Sequence, residues 1–157
     1  MDLIATHRTG RRTYSVFFEP GCLSSLPWGN EQFDVIILDC LDETDANLVD
    51  QICGDVVCAN TDWVKTTGAR AQAWHDALDE MSVRVGRQIR VGDGLPMTSW
   101  HDDVRSVSEM ADLVVHSALG GCDHLVVVVL ANYSQYAMVR AAIKAETAHK
   151  SDSDQAQ

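Results

Sequence analysis

What this chain lacks narrows it most. It has no nucleophile elbow, phosphate loop, dinucleotide fingerprint or zinc-ligand spacing, so the chemistries those motifs announce cannot be read from it. Basic residues are scarce: 12 Lys and Arg stand against 23 Asp and Glu, a net charge of −11. Such a field repels phosphates, which argues against nucleic acid and anionic membrane as partners and favours a basic protein or peptide, or a cation. The one basic cluster, Arg8, Arg11 and Arg12, reads as a solvated segment. The longest apolar run, Leu125 to Ala131, is far shorter than the roughly 20 residues of a membrane helix. The N-terminus shows no cationic region followed by an apolar stretch, so no secretory signal is expected. Cysteines are odd in number (Cys22, Cys40, Cys53, Cys58 and Cys122) and lie mostly in apolar runs, as reduced residues of a cytoplasmic protein do. Cys53 and Cys58 are too far apart for a paired-thiolate knuckle, and no second pair completes four ligands. The sequence therefore assigns no metal through thiolates, and no motif identifies a cofactor.

What is present is enough for one domain. A chain of 157 residues buries roughly 70% of the surface its unfolded form exposes. We place the domain at residues 1–150 and expect the polar segment 151–157 to be a disordered tail. Thr13 to Phe18 reads as a strand stopped by Glu19-Pro20-Gly21, and 22–32 as a loop. Phe33 to Asp39 is nearly all apolar, the pattern of a strand covered on both faces. Asp42, Thr44 or Asp45 can cap a helix with Leu48, Val49, Ile52 and Cys53 on one side, and Gly54 suits its end. Asp55 to Ala59 then reads as a short buried strand. A helix beginning after Thr66 or Thr67 carries the stripe Trp74, Ala77, Leu78 and Met81. Segment 83–97 reads as loop with a short edge strand around Ile89 and Val91. Ser106 and Glu109 match the reciprocal capping box, opening a helix with Val107, Met110, Ala111, Val114, Val115 and Ala118. Leu125 to Ala131 is a β-branched run read as an interior strand, and Ser134 starts a last helix.

This alternation implies an α/β fold of three layers: a mostly parallel sheet with helices on both faces, Rossmann-like or flavodoxin-like. In such a sheet the strand-to-helix loops open at one rim, where ligands are held. The rim is expected to gather Asp39 and Cys40, Asn60 to Trp63, Trp100 to Asp103, and Asn132 with Tyr133. The densest candidate is Met97-Thr98-Ser99-Trp100-His101-Asp102-Asp103, expected as one turn. His101 can act as a general base, oriented by Asp39 or Asp62 from another loop. Asp39, Asp62 and Asp103 can ligate a hard cation, and Trp63 and Trp100 can anchor a partner. Each has a plainer role: Asp102 or Asp103 at a helix N-terminus, His101 bonded to backbone, and the tryptophans packed beneath the rim. Cys40 has no motif that would make it a nucleophile.

Three segments together resemble an uncharacterised bacterial domain family marked by a Thr-Thr-Trp-His-acid-acid signature. They are Thr98 to Asp103, with Ser99 in place of the second threonine, the strand Phe33 to Asp39, and Trp74-His75-Asp76-Ala77-Leu78-Asp79. The resemblance spans about residues 30–130, and Cys58 to Asp62 departs from its pattern. It implies a site at Trp100, His101, Asp102 and Asp103 and no particular reaction. The leading expectation is a small acidic cytoplasmic binding protein of immunity or defence type, holding a protein partner at Trp100, Asp102, Asp103, Trp63, Asp62 and Asn132. The alternative is an enzyme acting on a nucleotide or small metabolite with His101 as base and Asp39 or Asp62 beside it. A third is a regulatory subunit that docks through the stripe Val107 to Ala118.

Overall fold

A computed structural model describes residues 1–7, 10–19, 21–28, 31–43, 45–68, 70–86, 97–101, 106–116 and 121–153; for 97–101 and 151–153 the description is of backbone. Six strands form one sheet in the order β1-β2-β6-β3-β4-β5. The strands are β1 Asp2–Thr6, β2 Arg12–Phe17, β3 Phe33–Asp39, β4 Thr61–Thr67, β5 Met97–His101 and β6 His124–Leu130. The helices are α1 Ala46–Cys58, α2 Ala71–Val85, α3 Val107–His116 and α4 Tyr133–Ser153. Every neighbouring pair is parallel except β1 with β2. The fold is therefore α/β with a mostly parallel mixed sheet, as its alternating pattern predicts.

β3 and β6 are buried along their whole length, which explains their nearly all-apolar character, broken by Asp34 and Asp39 in β3 and His124 in β6. Val35, Ile37, Val126 and Val128 join a cluster with Ile52 and Val56 of α1 and Trp74 and Leu78 of α2. Ile36, Leu38, Val127 and Val129 join a second cluster with Met110 and Val114 of α3 and Val139 and Ile143 of α4. The described part of the α3 stripe, Val107 to Val115, is thus covered, rather than open for docking, and Ala118 lies outside the described residues. The link from β2 to β3 contains no regular element among its described residues and packs Leu23, Leu26 and Trp28 into the first cluster.

Several local expectations hold to the atom. Asp45 accepts from the Leu48 amide at 2.9 Å and starts α1. Ser106 and Glu109 exchange hydrogen bonds of 2.8 and 3.1 Å at the head of α3. The last helix is capped by Asn132, not Ser134: Asn132 Oδ1 accepts from the Gln135 amide at 2.9 Å, and Gln135 Oε1 accepts from the Asn132 amide at 3.1 Å. α4 also continues through Ser153, into the segment expected as a disordered tail.

The largest correction lies between residues 54 and 70. Gly54 does not end α1; the helix runs through Asp55 to Cys58, the residues read as a strand. Tertiary contacts override the local signal here. Asp55 accepts from the Leu23 amide at 3.0 Å and the Ser24 hydroxyl at 2.8 Å, while Val56 and Val57 are fully buried. The strand falls instead at Thr61–Thr67, on residues expected to hold a loop and the start of a helix. Because Gly54 is interior to a helix, and an added Cβ would meet only Met81 Cε at an ordinary 3.8 Å, Gly54→Ala is expected to stabilise the protein by about 0.5–1 kcal/mol. Urea denaturation reads this; a loss of stability would mean the α1–α2 contact has no room for a methyl group.

Candidate functional site

Parallel strands give the molecule two distinct sheet edges, and the predicted site residues divide between them. The carboxyl edge carries Asp39, Asn132 and the end of β5. His101 pairs with Thr67, which pairs with Leu38. Two strand spacings therefore separate its backbone from the Leu38–Asp39 end of β3, roughly 10 Å. Trp100 and His101 are the last residues of the strand β5, not part of a turn. Asp102 and Asp103, like the expected strand at Ile89 and Val91, lie outside the described residues.

Asp62 and Trp63 are not on this edge. They sit at the start of β4, because the strand begins after Asn60 instead of ending there. Trp63 pairs with Met97, so Asp62 lies about five residues back along the strand direction from His101, roughly 17 Å. It cannot orient that imidazole. Trp63 packs against the second apolar cluster instead of presenting itself at the carboxyl rim.

Asp39 is committed as well. Its side chain is 1% exposed, and Arg70 grips it with Nε to Oδ2 and Nη2 to Oδ1, both 2.7 Å. The Trp74 indole donates to Oδ2 at 2.8 Å and the Leu41 amide to Oδ1 at 3.2 Å. Arg70 Nη2 also donates to the Leu41 carbonyl at 2.7 Å. This paired fork fastens the β3–α1 loop to the head of α2. The sequence signal was Gly68-Ala69-Arg70 ahead of the Trp74 stripe, hidden by the shifted reading of β4. At Gly68, φ is +109° and an ideal Cβ would stand 2.5 Å from the Asp39 carbonyl oxygen. Only a residue without a side chain lets the two loops approach this closely. Cys40 is half-buried, and burial followed by the Asp39 charge pushes its thiol up, away from nucleophile behaviour.

Further along the carboxyl edge, past the end of β2, lies a cleft of about 420 Å³ lined by residues that include Met1, Phe17, Glu19, Cys22, Leu26 and Pro27. Phe17 and Tyr133 are large exposed aromatics at this edge, 43% and 79% exposed. Glu19, Asp42, Glu43 and Asp45 are exposed acids on the loops that follow β2 and β3.

The amino edge gathers a different set. Asp34, fully buried, pairs with Arg11 at 2.7 Å through Oδ2. Burial, partly offset by the guanidinium, pushes its carboxyl up to about 6. The Cys122 thiol donates to Asp62 Oδ2 at 3.9 Å. Asp34, Asp62 and Cys122 bring one donor atom each within 4.8 Å of one another, and so do Asp112, His116 and Glu146 on α3 and α4.

These features define the class: a mostly parallel α/β domain with a fixed ion pair and, at its carboxyl edge, a largely apolar cleft bearing Glu19. The chain belongs to the family described as a domain of unknown function, DUF7684, whose model matches residues 17–146. That span takes in β3 to β6 and all four helices except the end of α4, and leaves β1 outside it. No curated protein and no solved structure matches the chain.

Proposed function

We propose that this is an acidic binding domain that holds a basic protein or peptide across the carboxyl edge of its sheet, an immunity-type role in the cytoplasm. The reading treats the sheet as the middle of three layers, with the strand carboxyl ends as the receptive edge. The observation that carries it is the cleft beside Phe17 and Glu19. It offers apolar walls for the aliphatic stem of a lysine or arginine and a carboxylate for its head, the division such side chains prefer. Exposed Asp42, Glu43 and Asp45 extend the negative surface towards Trp100 and His101. From β2 to β5 the edge crosses four strand spacings, roughly 19 Å, within the width of an interface burying about 800 Å² per partner. The engagement of Asp39 by Arg70, and the placement of Asp62 at the other edge, weigh against the alternative of an enzyme acting on a nucleotide or small metabolite with His101 as base.

Capture from an extract of the native host tests the reading. Reversing Glu19 and Glu43 to lysine should lower recovery of a basic partner more than tenfold, because like charges across an interface repel by several kcal/mol. The same reversal at Asp76 and Asp79, exposed on α2, should change recovery less than twofold. Equal losses from both pairs, or no retained basic protein, would remove the proposal.

A further inference from the structure

The amino edge supports an inference that the sequence did not offer, since its participants are far apart along the chain. We propose that Asp34, Asp62 and Cys122 form a three-ligand site for a thiophilic divalent transition metal of the zinc class.

The backbone itself brings the ligands together. Phe33 pairs with Thr61 and Asp34 with Trp63, so Asp62 is an extra residue in β4 opposite the start of β3. An inserted residue of this kind re-aims a side chain and is uncommon between parallel strands. Here its effect is to bring the Asp62 carboxylate beside Asp34. Cys122 arrives from the segment just before β6, the other neighbour of β3. The three donor atoms all lie within 4.8 Å of one another. Tetrahedral zinc with bonds of about 2.3 Å to sulfur and 2.0 Å to oxygen places those two donors roughly 3.5 Å apart. The observed sulfur–oxygen separation of 3.9 Å needs a movement of only a few tenths of an ångström.

One atom in the group points to a missing partner. Asp34 is 0% exposed, and among the described residues no donor meets its Oδ1, the oxygen that Arg11 does not hold, with good hydrogen-bond geometry, although the Cys122 thiol and amide lie close enough to favour its charged form. A fully buried carboxylate oxygen left in this way is costly and is ordinarily satisfied by a donor or an ion. The charges agree: two carboxylates converge on the site with the Arg11 guanidinium against them. The same two carboxylates, after burial, push the Cys122 thiol up to about 12. A dication inverts that field. On binding, the Cys122 S–H bond breaks, a sulfur–metal bond forms and the proton passes to water. The sulfur donor favours zinc or cobalt over magnesium or calcium, and three protein ligands leave a fourth position for water. The Asp112, His116 and Glu146 group has no sulfur, so a thiolate spectrum separates the two.

Cobalt(II) is the direct probe. Added to metal-free protein, it should give a near-ultraviolet sulfur-to-cobalt charge-transfer band that saturates at one equivalent and is displaced by zinc. The band should survive in Cys58→Ser, which removes the exposed thiol, and in His116→Ala. It should vanish in Cys122→Ser, and Asp62→Asn, at a half-buried position, should weaken cobalt binding at least tenfold while leaving the far-ultraviolet circular dichroism unchanged. A band that persists undiminished in Cys122→Ser, or no band in the wild-type protein, overturns the assignment.

Discussion

Gly68→Ala is expected to cost about 4 kcal/mol, the largest effect of an added methyl group at any of the described glycines. Two costs combine. An L side chain at φ +109° is held in a sparsely populated backbone region, at about 1–3 kcal/mol. The new Cβ also meets the Asp39 carbonyl oxygen at 2.5 Å, and because that atom is backbone, relief requires the β3–α1 and β4–α2 loops to part, about 1–3 kcal/mol more. Gly21→Ala is the internal comparison, with φ +80° but open space around its Cβ. It should lose only the conformational part, about 1–2 kcal/mol. Urea denaturation followed by tryptophan fluorescence and circular dichroism measures both. Equal losses would show that the approach of the two loops is not what demands glycine.

Asp39→Ala should cost about 3 kcal/mol, out of a total stability of about 5–15 kcal/mol for a domain of ordinary stability. Breaking one side of a buried ion pair costs about 3–5 kcal/mol, because the remaining charge loses its partner. We take the lower end, since the Arg70 side chain is 27% exposed and recovers some hydration. The buried Trp74 indole loses its acceptor as well. At this chain length the change corresponds to a fall in Tm of roughly 6–12 °C. Arg70→Lys should recover little of the wild-type stability, because an ammonium cannot repeat the two-pronged contact with both carboxylate oxygens. A loss below about 1 kcal/mol for Asp39→Ala would mean the fork contributes little, and would reopen Asp39 as a group available for chemistry.

How far the sequence discloses this fold depends on whether each signal is local. β3 and β6 are legible because strands covered on both faces need runs of apolar residues, here Val35 to Leu38 and Leu125 to Leu130. The α3 cap is legible because Ser106 and Glu109 satisfy each other within one turn. The pattern shortens α1, because Gly54 and the valines after it carry a turn-and-strand signal, whereas the contacts that keep Asp55 to Cys58 helical come from Leu23, Ser24 and the sheet. The same signal displaces β4 by several residues and carries Asp62 and Trp63 from the amino edge to the carboxyl edge. It also hides the Asp39–Arg70–Trp74 fastening, which depends on where β4 ends. The extra residue at Asp62 adds a further shift that no alternation pattern reveals. The non-local gathering of Asp34, Asp62 and Cys122 has no spacing signature at all.

The segment from Cys22 to Leu26 forms one wall of the carboxyl-edge cleft and is tied to α1 by a single carboxylate, Asp55, through Leu23 and Ser24. A side chain on a helix thus acts as the latch of that wall, holding Leu23 and Ser24 directly. Whatever displaces the wall must first compete for those two donors, so the exchange rate of the Leu23 amide proton is expected to report how often the segment parts from α1.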